Sequence, residues 1–154
     1  AYVRSHIKTK HFIPLGERAR LNLRAQLGLA WVDRFEKYPS SLRYYAGGDQ
    51  SVRGYKYQAL GPVDPNGEVV GGKHVFTGTV EYDHRVAEDW VAAAFVDGGN
   101  AFNDSLDKVF YPAGVGARWL SPMGPIRLDF AVPINPAEDN DTSWRIHFGF
   151  GAEL

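Results

Sequence analysis

The chain has 154 residues and a formal net charge of −1, from 17 basic and 18 acidic side chains, so its charge gives no reason to expect a nucleic-acid partner. It contains no cysteine, which excludes disulfides and thiolate metal sites. The longest apolar run, residues 90–96, is far shorter than the roughly 20 residues of a membrane-spanning helix. The chain also opens without the apolar region of a signal peptide, so we expect an exported protein to carry it as an internal piece of a longer precursor.

The first clearly patterned segment runs from Arg20 to Trp31, where apolar and polar residues alternate. No helix can sort such residues onto two faces, because positions two apart lie on nearly opposite sides of a helix. Strands of soluble sandwiches average about five or six residues. This segment has about a dozen, the length that crosses a bilayer when the strand is tilted. The preceding segment, about Tyr2–His11, is charged and ambiguous, and we count it as a strand.

The same alternation returns in five later segments, about 75–83, 90–97, 114–119, 126–134 and 144–154, which gives seven predicted strands. Short turns at 13–17, 86–89 and 121–124 alternate with long loops at 32–72, 103–112 and 135–142. A transmembrane barrel has short periplasmic turns and longer extracellular loops. The pattern therefore predicts an all-β fold, an antiparallel transmembrane β-barrel in contact with outer-membrane lipid. The four tryptophans fall near strand ends, as in an interfacial aromatic girdle: Trp31, Trp90, Trp119 and Trp144.

Seven strands do not make a complete barrel. An odd number would force a parallel closure, and open strand edges in lipid would leave backbone groups unsatisfied, at several kcal/mol each. We therefore expect the remaining strands to come from the N-terminal part of the precursor or from another chain.

The sequence offers little for catalysis or metal binding. The run 97–100 resembles a calcium loop but lacks the glutamate at the twelfth position, so we interpret it as a strand end followed by a turn. The five histidines lack metal-ligand spacing, and neither Ser51 nor Ser121 has the context of a nucleophile elbow. We expect no enzyme activity, no catalytic residue, no metal site and no cofactor.

The long loop contains the glycine-rich run 46–55, for which a phosphate cradle would need a following helix that the sequence does not predict. Within this run, Val52-Arg53-Gly54-Tyr55 resembles the VRG(F/Y) motif of the BamA/TamA superfamily of outer-membrane assembly factors. Two further family motifs are present, Gly78-Thr79-Val80-Glu81 and Phe95-Val96-Asp97-Gly98-Gly99. The resemblance implies that the loop folds back inside the barrel and that Arg53 contacts Glu81 and Asp97. The alternation independently places both acidic residues on the polar face.

The chemistry of this set follows from its residue types. Arginine stays charged and presents a planar fork of donors that suits carboxylates. If the interior is partly desolvated, Arg53 needs acidic partners, and Glu81 and Asp97 supply two from neighbouring strands. Gly54 is expected to let the backbone turn tightly beside the wall. The alternative is a solvated surface Arg53 that merely aids folding.

Several stretches resemble the TamA subgroup more than the BamA subgroup, notably 42–49, 114–119, 121–130 and the ending 151–154. That resemblance covers the whole chain and implies that residues 1–154 are the C-terminal part of a 16-stranded barrel, with an inward-folding extracellular loop at about 32–72. It also implies upstream POTRA domains, a periplasmic partner of the assembly module and unfolded, autotransporter-like client proteins in the Gram-negative outer membrane.

The last predicted strand ends at Leu154 and looks like the C-terminal signal that outer-membrane proteins present for assembly, although that signal usually ends in an aromatic residue. Gly149 and Gly151 pack no side chain and weaken the strand. In the family that this chain resembles, the first and last strands pair poorly and form a lateral gate. We therefore expect these glycines to help the strand open and pair with an incoming client strand.

Three functions compete with protein insertion or export. One is a two-partner secretion pore, which shares the VRGY motif. Another is a barrel that anchors a patatin-like lipase, and the sequence upstream of Ala1 would distinguish it by a lipase motif in place of POTRA repeats. A plain diffusion porin is disfavoured, because it has no use for the set of Arg53, Glu81 and Asp97.

Overall fold

Seven β-strands form one antiparallel sheet in the computed structural model, which describes residues 1–135 and 143–151. The strands are β1 (Tyr2–Pro14), β2 (Ala19–Val32), β3 (His74–Arg85), β4 (Trp90–Phe102), β5 (Pro112–Ser121), β6 (Gly124–Pro133) and β7 (Arg145–Phe150). Each strand pairs with its neighbours in sequence, so β1 and β7 form the edges of the described sheet. The predicted all-β antiparallel fold is confirmed, whereas membership of a 16-stranded barrel stays a prediction.

The two faces of the sheet differ in polarity, as the period of two predicts. Large apolar side chains are exposed on one face, including Leu27, Phe76, Val80, Val96, Val115, Leu128, Phe130, Ile146 and Phe148. Buried polar side chains lie on the other face: Asn22, Thr77, Thr79, Asp83, Asp97, Arg118, Arg127 and Asp129. An apolar surface of this extent on the outside of a sheet, with the polar groups buried on the opposite face, is the pattern of a membrane barrel wall.

The connections follow the predicted alternation of short and long. Among the described residues, segments 15–18, 86–89 and 122–123 lie at one end of the sheet, and segments 33–73 and 103–111 lie at the other. The prediction that a strand ends at Asp97 and a turn follows is wrong, because β4 continues to Phe102 and pairs there with the first residues of β3. That pairing satisfies backbone groups of both strands that a turn would have left open.

Tryptophan side chains mark both ends of the sheet. Trp90 and Trp119 lie opposite each other at the short-turn end, with stacked rings whose centroids are 6.2 Å apart. Trp31 lies at the other end, as does Trp144, whose ring stacks on Phe130 at 5.7 Å. All four are exposed on the apolar side of the molecule. This arrangement matches the two aromatic girdles of a membrane barrel.

The long loop, residues 33–73, packs on the polar face of the sheet. It contains two three-residue 3₁₀ turns, Phe35–Lys37 and Ser40–Leu42, and within the described ranges no helix is long and apolar enough to cross a membrane. Short ladders then join Tyr44 to Gly72 and Ala46 to Leu60. Loop and strand side chains share one core, formed by Ala30, Tyr38, Tyr44, Ala46, Val52, Tyr55, Leu60, Val75, Ala101 and Phe110. Tyr57, another aromatic residue of the loop, lies outside this core and is 77% exposed.

Candidate functional site

The loop reaches the sheet through a close backbone approach at Gly54. Its φ is 91°, in the left-handed region that favours glycine. A Cβ at this position would lie 3.0 Å from the Pro112 side chain and 3.4 Å from that of Ala131. Both the backbone angle and the available space therefore require glycine here, and this conformation directs the preceding side chain, Arg53, towards the centre of the polar face.

Arg53 is 1% exposed and binds three carboxylates. Its Nε and Nη2 donate to the two oxygens of Asp97, each at 2.8 Å, and its backbone N–H donates to Asp97 Oδ2 at 2.9 Å. Its Nη1 donates to Glu81 at 2.7 Å and to Asp129 at 3.0 Å. The structure thus brings Arg53 together with both acidic residues that sequence analysis assigned to it, and the pairing with Asp97 is bidentate.

Sequence analysis missed the third carboxylate, Asp129 on β6. The alternation over residues 126–134 puts Asp129 on the polar face, but nothing in the sequence says how far β6 lies from the loop. Asp129 Oδ1 also accepts a hydrogen bond from Arg118 Nη1, and Asp129 Oδ2 lies 3.4 Å from Arg127 Nε. Arg118 Nη2 lies 3.1 Å from Glu81. Asp129 is therefore the hub of a wider cluster.

We call this set the charge cluster: Arg53, Arg118, Arg127, Glu81, Asp97 and Asp129. Its three guanidinium groups and three carboxylates balance, which matters because an unpaired buried charge is costly. The guanidinium of Arg53 also lies 3.4 Å from the centroid of the Phe95 ring, a cation–π contact that covers it on one side. The cluster can hold the loop on the sheet by charge-assisted hydrogen bonds, without any covalent chemistry.

The other two residues of the motif fix the loop by packing. Val52 and Tyr55 have no exposed surface, and the Tyr55 ring packs edge-to-face on Phe110 at 5.5 Å. The Tyr55 hydroxyl donates to the backbone carbonyl of Asn135. Burial raises the pKa of Tyr55 to about 12, so the hydroxyl keeps its proton and stays a donor.

A second anchor lies nearer the start of the loop. The Tyr44 ring covers Gly28, where an added Cβ would lie 2.5 Å from Tyr44 Cε1. The Tyr44 hydroxyl donates to the backbone carbonyl of Ser5 on β1 at 2.8 Å, and the Arg4 guanidinium lies 4.4 Å from the ring centroid. The loop is thus tied to β1 as well as to β3, β4 and β6.

Of the three predicted gate residues, only Gly149 lies on the last described strand. Gly149 is part of β7 and pairs with Arg127 on β6, while Gly151 follows the strand with a φ of 115°. Leu154 lies outside the described residues. A contact that sequence analysis did not single out joins β7 to the loop, since the Gly54 backbone N–H donates to Nε2 of His147 at 2.9 Å. The gating function of these glycines stays a prediction.

The fit at Gly54 gives a first expected result. Gly54→Ala combines an unfavourable left-handed backbone with methyl contacts tighter than ordinary van der Waals distance, so we expect it to lower the free energy of unfolding by about 2–3 kcal/mol. Gly67→Ala is the matched control, because Gly67 has a φ of 84° with nothing within 4 Å of the added Cβ. Urea unfolding of the complete protein measures this difference. Equal midpoints for the two variants would show that the close contact of Gly54 with the sheet contributes nothing to stability.

Comparison with known proteins identifies the family of the chain. Residues 1–154 match the Omp85 superfamily domain. The chain is 31% identical over 118 residues to the outer membrane protein assembly factor BamA of Nitratidesulfovibrio vulgaris, covering 71% of this chain and 15% of that protein. It is 25% identical over 188 aligned positions to BamA of Neisseria meningitidis serogroup B, covering 97% of this chain and 23% of that protein.

A solved structure shows the same fold. The crystal structure of BamA from Haemophilus ducreyi lacking POTRA domains 1–3 superposes with a TM-score of 0.82 at 19% identity, covering 97% of this chain and 35% of that one. The chain spans 15% of the length of the Nitratidesulfovibrio vulgaris protein and 23% of the length of the Neisseria meningitidis protein. With the whole chain matched by one family domain, the protein belongs to the Omp85 superfamily.

Proposed function

We propose that the chain is the C-terminal part of an outer-membrane assembly factor that inserts or exports other proteins, with the long loop locked onto the barrel wall by Arg53. The predicted location, the outer membrane of a Gram-negative cell, is confirmed by the family and its relatives. The relatives named above are assembly factors, which supports a role in handling proteins. Absence of enzyme activity and of a cofactor stays a prediction.

The observation that carries the proposal is the binding of Arg53 by three carboxylates from three strands. A barrel that only lets solutes diffuse has no need for a loop held by a buried, charge-balanced cluster. A loop held in this way keeps the strands β3, β4 and β6 in fixed relation while leaving the edge strand β7 with fewer constraints. This asymmetry suits a barrel whose terminal strand moves.

We further propose a TamA-like member of the family. The stretch 42–49 and the ending 151–154 support that subgroup, and they imply upstream POTRA domains, the remaining strands of a 16-stranded barrel and a periplasmic partner. Unfolded autotransporter-like proteins are then the clients. In this scheme β7 separates from the first strand of the barrel and pairs with a client strand by β-augmentation.

Locking the terminal strand tests this scheme. Ile146 is an exposed residue of β7, and the chain has no cysteine of its own, so Ile146→Cys provides a single attachment point within it. A second cysteine on the first strand of the complete barrel would close the seam by a disulfide. We expect client insertion into proteoliposomes to stop under oxidising conditions and to recover fully after reduction.

The single-cysteine proteins serve as controls, because they experience the same oxidant without a cross-link. Insertion at the wild-type rate through a barrel shown by gel shift to be fully cross-linked would rule out opening at β7. That result would not bear on whether Arg53 holds the loop on the barrel wall, which the substitutions of Arg53 test separately.

A further inference from the structure

The hydrogen bond between Gly54 and His147 connects the loop motif directly to the terminal described strand. The Gly54 backbone N–H donates to Nε2 of His147 over 2.9 Å. An imidazole nitrogen accepts a hydrogen bond only when it carries no proton, so His147 is neutral in this arrangement and its hydrogen lies on Nδ1. The bond therefore depends on the protonation state of one side chain.

We propose that His147 is a proton-sensitive latch that holds the loop motif against β7 while the ring is neutral and releases it when the ring is protonated. The inference rests on the proposed function, in which β7 is the strand that moves, and it names a way in which that movement is regulated. His147 acts through the loop and is a positioning residue.

Protonation would change the contact at both of its ends. Nε2 would become a donor that faces the donor N–H of Gly54, so the attraction between these two groups would turn into a repulsion. The backbone at Gly54 has little freedom to turn towards another acceptor, because Pro112 and Ala131 lie against it. The bidentate pair of Arg53 and Asp97 would still hold the loop on β4, so the release is local to the β7 side.

Charged groups of both signs lie near His147. Asp129 is its direct partner on β6 and favours the protonated ring, as does Asp49 from the loop. Arg53 from the loop and Arg145 on the same strand disfavour it. Imidazole is the side chain whose charge changes most readily on mild acidification, so the contact with Gly54 can respond to it.

Hydrogen–deuterium exchange of the loop tests the latch in the complete protein, held in lipid nanodiscs. After correction for the intrinsic exchange rate, we expect protection of residues 50–60 to fall about tenfold between about pH 7.5 and about pH 5. His147→Gln keeps an acceptor that does not titrate, so its protection should stay high at both pH values. His147→Leu has no acceptor, and its protection should be low at both.

His74→Gln is the matched control, because the His74 ring also accepts a backbone N–H, from Ala30 at 3.4 Å, but at another place in the sheet. It should keep the wild-type pH dependence. Equal wild-type protection at both pH values, or a pH dependence retained in His147→Gln, would overturn the latch. The wild type and His147→Gln decide the question even if His147→Leu fails to assemble. Client insertion measured on the same preparations reports on the proposed function separately.

Discussion

Replacement of Arg53 by alanine should destabilise the loop more than any other single change in the motif. It removes the four hydrogen bonds of the Arg53 side chain and keeps only the one that its backbone N–H donates to Asp97. Glu81, Asp97 and Asp129 are then left with the two guanidinium groups of Arg118 and Arg127. An uncompensated buried charge costs about 3–5 kcal/mol, or less where water enters. We expect limited proteolysis within the loop and a marked loss of client insertion by the complete protein.

Arg53→Lys separates charge from geometry. Lysine restores the positive charge but cannot form the bidentate pair with Asp97, so we expect only partial recovery of loop protection and insertion. Full recovery by lysine would mean that net charge alone holds the loop. Wild-type protease resistance and insertion in Arg53→Ala would refute the lock itself.

Gly116→Ala should disrupt the charge cluster by adding a single methyl group. Gly116 lies on the polar face of β5, where an added Cβ would overlap the Asp129 carboxylate and lie 2.5 Å from Arg118 Nη1. Both side chains would have to leave their present positions, and Asp129 would lose its best-placed partners. We expect a loss of about 2–4 kcal/mol in the free energy of unfolding, since overlap and broken buried ion pairs act together.

Gly78→Ala is the control for this change. Gly78 also lies inside a strand of the same sheet, but its added Cβ would meet only the Arg24 backbone oxygen, at an ordinary 3.8 Å. That variant should unfold in urea at the wild-type midpoint. If Gly116→Ala and Gly78→Ala prove equally stable, the cluster must adapt to the methyl group at little cost.

Strands and their faces could be predicted because alternation is a local property of the sequence. In β2, for example, every second residue is apolar, so its two faces can be assigned without knowing which strands it pairs with. The end of β4 was misjudged for the opposite reason. Gly98 and Gly99 look like a turn, and only the pairing with β3, which is not local, shows that the strand continues.

The charge cluster was predictable in part. Glu81 and Asp97 came from the family resemblance and from their place on the polar face. Asp129 was placed on the same face without being assigned to Arg53, because the sequence does not give the stagger between β4 and β6. His147 was grouped with the other histidines, since its contact depends on where a distant loop residue comes to rest.

The anchors of Arg53 and its neighbour Gly54 are far apart along the chain, which has a consequence for the order of folding. Glu81 is 28 residues from Arg53, Asp97 is 44 and Asp129 is 76, and His147 is 93 residues from Gly54. Contacts of such separation form only after the intervening strands have paired, because each must first overcome the entropy of closing its loop. We therefore expect the loop to reach its final position late in folding, after every strand from β3 to β7 is in register.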